Sequence, residues 1–168
     1  LQFSHLELFD KHLKKLGYKY IYKQRTGIRV DGCAIFYRHN TFDLVEHQSV
    51  EFRQPSTDVL NRDNIGLMAK FKPKDMPTSP LVVCTTHLLY NPARTDVRLA
   101  QVQLFLAEID RFSFHTEDGS TDPPQYLPVI LTGDFNSLPI SPVVRLVTEG
   151  KVYSNHFGSG LKNIAVTD

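Results

Sequence analysis

The first part of the chain has the apolar spacing of a helix. Apolar side chains recur every three or four residues, at Leu6, Phe9, Leu13 and Leu16. Ser4 and Glu7 stand three residues apart in the order of a capping box, and Gly17 follows the last apolar position. The pattern predicts a helix that starts at Ser4 and ends on a left-handed Gly17.

A longer amphipathic helix is predicted in the second half of the chain. Between Thr95 and Phe112 the apolar residues again recur at intervals of three and four, at Leu99, Val102, Leu106 and Ile109. A short third helix is expected farther on. Ser141 would cap it, Pro142 would take its first position, and Gly150 would end it.

The remaining apolar runs are short and bounded by turn residues, which is typical of strands. The predicted strands are residues 18–23, 33–38, 42–47, 65–71, 81–86 and 129–132, the last of them buried. Residues 81–86, the long helix and residues 129–132 follow in β-α-β order, so the two strands are expected to lie in one sheet. Residues 113–125 are polar and predict an exposed loop. The mixture predicts a layered α/β or α+β fold in one domain.

Composition narrows the class of protein. The chain has 168 residues, is 41% hydrophobic and 22% charged, and carries a formal net charge of +1. This balance excludes a strongly basic coat for nucleic acid but allows a local basic cleft. Cys33 and Cys84 lie inside apolar runs, which favours two buried reduced thiols and a reducing compartment. No apolar run is long enough for a membrane span, and no signal peptide is visible.

The stretch LPVILTGDFNSLP places two polar groups directly after an apolar strand. Asp134 and Asn136 are two residues apart, so in an extended chain their side chains point the same way. The carboxyl end of such a strand is where α/β sheets open a ligand crevice. There a carboxylate can act as a base or hold a hard cation. The alternative, which these residue types favour about equally, is an ordinary turn.

His87 has the same layout at the end of the run LVVCTT. At a strand end it could donate a hydrogen bond to a phosphoryl oxygen as negative charge develops. A single histidine at a strand end is more often structural. Two parallel strands that deliver His87 and Asp134 to one sheet edge favour the functional interpretation. The polar cluster at residues 61–65, by itself, indicates only a capped turn.

Four motifs occur in an order that resembles a known family. They are DGCAIFY at 31–37, NRDNIGLMAKF at 61–71, THLLYNPARTDVRLAQ at 86–101 and GDFNSLP at 133–139. Together they resemble the deadenylase-like branch of the endonuclease/exonuclease/phosphatase superfamily, and within it the Angel proteins. The resemblance implies a two-sheet α/β sandwich with helices outside. It also implies that residues 1–168 are the central part of a single domain that is incomplete at both ends.

The resemblance also implies roles for five residues. Asp134 matches the general base, which also approaches the metal, and Asn136 matches the residue that holds the phosphate and orients that aspartate. His87 matches the histidine that stabilises the phosphoryl transition state. Pro92 matches a proline that walls the nucleotide pocket, and Asn64 matches an asparagine beside the cleft. Both of these last two are expected to bind substrate.

The implied activity is a Mg²⁺-dependent hydrolase acting on RNA 3′ ends, with Mn²⁺ as the alternative to Mg²⁺. It would be a 3′–5′ exoribonuclease of the deadenylase type or an RNA 2′,3′-cyclic phosphatase. The family's Gln-Glu-Val strand and closing Asp-His pair are not found in this sequence. The further alternative is therefore an inactive RNA- or protein-binding module. The expected location is the cytoplasm, with the nucleus as a second possibility, and no protein partner is indicated.

Overall fold

A computed structural model describes residues 1–115 and 125–152, apart from the side chains of Phe3 and Ser4. The helices are α1 (Phe3–Leu13), α2 (Thr95–Ser113) and α3 (Pro142–Glu149), and a 3₁₀ turn (Lys14–Leu16) follows α1. The strands are β1 (Tyr18–Gln24), β2 (Gly32–Arg38), β3 (Phe42–Glu51), β4 (Ile65–Pro73), β5 (Leu81–His87), β6 (Phe114–His115), β7 (Gln125–Tyr126) and β8 (Val129–Asp134). Each predicted strand and helix is present. Most of the predicted loop at 113–125 lies outside the described residues.

Two sheets carry the fold. The larger has the order β3-β4-β5-β8, and the smaller is the antiparallel pair β1-β2. β4 runs antiparallel to both of its neighbours, β3 and β5, whereas β5 and β8 are parallel. Because α2 connects β5 to β8, the predicted β-α-β unit is confirmed.

The larger sheet has a separate apolar layer on each of its faces. On one face the sheet packs against α2 and α3 through a cluster that includes Phe52, Phe105 and Val143, all fully buried. On the other face the sheet packs against β1-β2 through a second cluster that includes Ile21, Ile35 and Leu67. This is the predicted α/β sandwich, with helices outside two facing sheets.

The helix ends agree with the sequence patterns except at α1. Ser141 caps α3 by accepting a hydrogen bond from the Val144 N–H at 3.3 Å, and Gly150 ends it at φ +71°. Gly17 is left-handed, as predicted, but it ends the 3₁₀ turn after α1. The predicted start of α1 was wrong: Gln2 is the N-cap, without a side-chain cap bond, and Ser4 lies inside the helix.

β8 differs from its prediction as a buried strand. Within the described residues it lies at the end of its sheet and pairs only with β5. Ile130 is 52% exposed and Val129 39% exposed. An apolar run of this length predicts a strand, but it does not predict how many other strands and helices cover that strand. None of the helices in the described part of the chain has the length and apolar character of a membrane span.

Candidate functional site

The ends of two parallel strands bring His87 and Asp134 together. The two residues are partners in the β5–β8 register, and the Leu88 N–H continues the pairing with a 3.0 Å hydrogen bond to the Asp134 carbonyl oxygen. His87 Nε2 lies 3.9 Å from Asp134 Oδ2, and both side chains are open to solvent, at 44% and 66% exposure. This is the sheet edge at which the sequence predicted them to meet.

Asn136 joins them through a turn rather than through strand alternation. β8 ends at Asp134, and Asn136 has a left-handed backbone with φ +47°. Asparagine tolerates that conformation better than most residues. Its backbone N–H donates to Asp134 Oδ1 at 2.9 Å, and its side-chain Nδ2 donates to the Leu88 carbonyl oxygen at 2.9 Å. Asn136 therefore fixes one oxygen of Asp134 and leaves Oδ2 facing His87.

Gly133 lets the two strand ends approach closely. Its φ is +139°, and a Cβ built there would lie 2.2 Å from the Thr86 carbonyl oxygen. A side chain would therefore have to push β8 away from β5. In the motif GDFN, glycine is the residue that permits the His87–Asp134 geometry.

A cavity of about 420 Å³ opens beside this pair. Its polar side is formed by Thr85, His87 and Asp134, and its apolar side includes Phe9 of α1 and Phe36 of β2. Pockets for small organic ligands fall in this range of volumes. The site thus has an open cavity beside an exposed carboxylate and imidazole.

Asn64 and Pro92 are placed differently from the three central residues. Asn64 is 3% exposed, and its Nδ2 donates to the His87 carbonyl oxygen at 2.8 Å. It supports the backbone of His87 from the interior. Pro92 is exposed on the chain that follows β5. Contact of either residue with substrate stays a prediction.

Two residues of the site were missed from the sequence. Gln101 is fully buried and donates from Nε2 to Asn64 Oδ1 at 3.2 Å, while its Oε1 accepts from the Leu89 N–H at 3.0 Å. Arg98 is 5% exposed and donates to backbone oxygens of the same segment. The sequence signal that could have found them is a pair of polar residues, three positions apart, among the apolar positions of α2.

The described residues do not by themselves make a complete set of metal ligands. In the described part of the chain no three His, Cys, Asp or Glu side chains converge. Asp134 offers one free carboxylate oxygen, since the other accepts from Asn136. Mg²⁺ requires near-octahedral oxygen coordination and gives up its waters reluctantly, so one carboxylate does not fit it alone.

Comparison with known proteins identifies the family of this chain. The sequence profile of the Endonuclease/Exonuclease/phosphatase family matches residues 2–163. The chain belongs to this family. It is 43% identical to human Protein angel homolog 2 over 142 residues, covering 83% of this chain and 25% of that protein. It is 44% identical to Protein angel of Drosophila melanogaster over 155 residues, covering 88% of this chain and 40% of that protein.

Solved structures of family members share the fold. A crystal structure of ANGEL2, described as a 2′,3′-cyclic phosphatase and bound to adenosine-2′,3′-vanadate, matches with a TM-score of 0.78 at 42% identity. That match covers 89% of this chain and 42% of the ANGEL2 chain. The human Nocturnin catalytic domain matches with a TM-score of 0.70 at 21% identity, which shows the fold alone. This chain spans about a quarter to two-fifths of the curated relatives described.

Proposed function

We propose that the protein hydrolyses 2′,3′-cyclic phosphates at RNA 3′ ends. The observation that carries the proposal is the exposed His87–Asp134 pair at the mouth of a cavity, in a chain 42% identical to the cyclic phosphatase ANGEL2. The vanadate bound to ANGEL2 is an adenosine-2′,3′ derivative. We extend this substrate class from ANGEL2 to the present chain.

The distance between the two side chains suits a bridging water. At 3.9 Å, His87 Nε2 and Asp134 Oδ2 are too far apart for a direct hydrogen bond. A single oxygen atom can nevertheless stand about 2.8 Å from both, because twice that length exceeds their separation. A water fits between them, because it can donate a hydrogen bond to Oδ2 and form a second one with Nε2.

The proposed reaction uses each side chain at a stated atom. Asp134 Oδ2 takes a proton from a water, whose oxygen attacks the phosphorus of the cyclic diester. One P–O bond to the ribose breaks, and that ribose oxygen takes a proton from solvent to leave a phosphomonoester. His87 Nε2 donates to a non-bridging oxygen as its charge grows. Asn136 keeps Oδ2 directed at the water by holding Oδ1.

A metal requirement is a separate part of the proposal. The resemblance implies Mg²⁺, with Mn²⁺ as a second choice, and such an ion would supply Lewis-acid stabilisation of the phosphate charge. In the described residues Asp134 could contribute one ligand. The remaining ligands would come from elsewhere in the protein, and the steps above do not depend on their position.

The test uses the purified protein and three labelled RNAs of one sequence. One ends in a 2′,3′-cyclic phosphate, one in a 3′ monophosphate, and one in a poly(A) tail with a free hydroxyl. We expect turnover of the cyclic end, loss with EDTA, and loss in Asp134→Asn. Asp43→Asn is the matched control, because Asp43 is a 63% exposed carboxylate in a surface pair with Lys74.

Each other outcome has a definite meaning. Shortening of the poly(A) RNA without opening of the cyclic end would replace the proposal with a 3′–5′ exoribonuclease. RNA binding that survives EDTA, with no cleavage of any RNA, would replace it with a binding module. Attack on the 3′ monophosphate would show that the protein also removes the phosphate left by ring opening.

A further inference from the structure

Side chains form hydrogen bonds with the backbone of almost every residue from the end of β5 to the turn that follows it. We call residues 87–92 the post-strand segment. The His87 carbonyl oxygen accepts from Asn64, and the Leu88 carbonyl oxygen accepts from Asn136. The Leu89 N–H donates to Gln101 Oε1 at 3.0 Å. Leu88 is fully buried, so the backbone groups around it need partners other than water, and polar side chains supply them.

Arg98 holds the second half of the segment. Its Nη1 donates to the Asn91 carbonyl oxygen at 2.5 Å, with a longer contact of 3.5 Å to the Leu89 carbonyl oxygen. Its Nη2 donates to the Pro92 carbonyl oxygen at 3.2 Å and to Thr95 Oγ1 at 2.9 Å. One guanidinium therefore ties three carbonyl groups of the post-strand segment to the start of α2.

The burial of Arg98 and Gln101 costs folding free energy, so a contribution to stability does not by itself explain these contacts. Arg98 is 5% exposed, forms no ion pair with any acidic side chain in the described ranges, and its Nε has no hydrogen-bond partner there. Burial lowers the pKa of its guanidinium, although the charge of Asp96 acts in the opposite direction. Gln101 is an amide with no exposure in an otherwise apolar helix face. Apolar residues at both positions would avoid the desolvation of a charge and an amide.

The two residues act on different parts of the site. Gln101 reaches the backbone on both sides of Leu88, directly at the Leu89 N–H and through Asn64 at the His87 carbonyl oxygen. Those groups belong to the backbone that carries the His87 side chain and continues beyond it. Arg98 acts farther along the segment, at the Asn91 and Pro92 carbonyl oxygens.

We propose that Gln101 and Arg98 are positioning residues: Gln101 sets the placement of His87 against Asp134, and Arg98 sets the placement of Pro92. The inference rests on the proposed function for its kinetic consequences. Gln101 acts on the reacting pair, so its loss lowers kcat. Arg98 acts on Pro92, which the sequence predicts to bind substrate, so its loss raises KM. Neither side chain is catalytic, since neither reaches the cavity.

The test compares Gln101→Met and Arg98→Met with two controls on the same helix. Gln103→Met removes a half-buried amide outside the network, and Arg111→Met removes a guanidinium whose side chain is 70% exposed. We expect Gln101→Met to lower kcat by about tenfold to a hundredfold with little change in KM, as small misplacements of reacting groups do. We expect Arg98→Met to raise KM by about tenfold, with a smaller effect on kcat.

A second readout does not require activity. Hydrogen exchange at the amide groups of Leu88 and Leu89 reports whether the post-strand segment is held. We expect exchange to accelerate by about tenfold or more in Gln101→Met and to stay unchanged in Gln103→Met. Should the methionine variants fail to fold, Gln101→Asn and Arg98→Lys replace them. The asparagine keeps an uncharged amide, although one methylene shorter, and the lysine keeps one charged donor, so both are expected to show smaller effects.

The outcomes separate this inference from the proposed function. Folded variants with wild-type exchange, kcat and KM would overturn the inference while the proposed function stands. Equal losses in the Gln103→Met control would also overturn it. If the wild-type protein turns over none of the three RNAs, the proposed function fails. Faster exchange at Leu88 and Leu89 would then still support the positioning role, and unchanged exchange would remove it.

Discussion

His87 and Asp134 are register partners on two parallel strands, and their side chains face each other across 3.9 Å without a hydrogen bond between them. The gap follows from the backbone. Gly133 allows β8 to approach Thr86, and Asn136 turns one carboxylate oxygen of Asp134 away from the histidine. A carboxylate with one oxygen held and one free is ready to accept a proton from a bound water.

Replacing Asp134 by asparagine should separate activity from stability. The new amide would keep an oxygen for the Asn136 N–H but would supply no base, so we expect turnover to fall by about 10²–10⁴-fold. Because the side chain of Asp134 is 66% exposed, the free energy of unfolding should change by no more than about 0.5 kcal/mol. Steady-state kinetics and urea unfolding measure the two effects. A loss of activity matched by a large loss of stability would contradict the catalytic assignment.

Replacing Gly133 by alanine should disturb the same edge through the backbone. The new Cβ would meet the Thr86 carbonyl oxygen, and the φ of +139° is strained for any side chain. We expect a loss of about 2–4 kcal/mol in the free energy of unfolding, together with lower activity. Gly150→Ala is the control, because that left-handed site has open space around it. It should cost about 1–2 kcal/mol and leave kcat unchanged.

The pair at the sheet edge was predictable, whereas its support was not. Local signals were enough for His87 and Asp134: two apolar strands in β-α-β order, each ending in a polar residue. Arg98 and Gln101 look like ordinary polar positions of an amphipathic helix. Their role appears only when the post-strand segment folds over α2, and no local pattern encodes that contact.

Two further differences between the predicted and the observed structure have physical reasons. Strand alternation predicted that Asp134 and Asn136 share a face, but β8 stops at Asp134 and a left-handed turn brings them together. β3 was expected to end at residue 47 but runs to Glu51. Within the described sheet it lies at the end of the strand order and has a register shift between Leu44 and Glu46, so polar side chains can face solvent there.

The two cysteines should be unreactive in the folded protein. Burial raises the pKa of Cys33 to about 11 and the pKa of Cys84 to about 12. At neutral pH neither thiol supplies appreciable thiolate, which is the reactive form. We expect a thiol reagent to label them about a hundredfold or more slowly than in urea-unfolded protein. Rapid labelling of the native chain at neutral pH would show that one of them is accessible.

The same thiols predict alkaline destabilisation. Their folded pKa values lie above the unfolded value near 9, so ionisation favours the unfolded chain. The stabilisation is present below about pH 9 and is lost as the pH rises towards about 11 for Cys33 and about 12 for Cys84. Urea midpoints across this range should fall, and Cys84→Ala should flatten the fall even though it lowers stability at neutral pH. A wild-type curve with no slope, or one that Cys84→Ala leaves equally steep, would contradict the assignment.

Acid should weaken the start of α2. Hydrogen bonds from Arg94 hold the pKa of Asp96 below 3.8, despite partial burial that acts the other way. Arg94 Nε and Nη2 reach both carboxylate oxygens, at 2.8–3.1 Å. A lowered pKa contributes stability that is present above about pH 4 and is lost as the pH falls below it.

Because the side chains of Arg94 and Asp96 are 32% and 25% exposed, the contribution should stay below about 1 kcal/mol. Asp96→Asn should remove that part of the acid dependence, whereas the exposed Asp75→Asn should not. Urea unfolding at neutral and acidic pH measures the difference between the two variants. Hydrogen exchange at residues 95–98 in acid should accelerate first, because these amides follow the pair directly. Uniform acceleration along α2 would instead indicate global unfolding and would contradict a local effect of this ion pair.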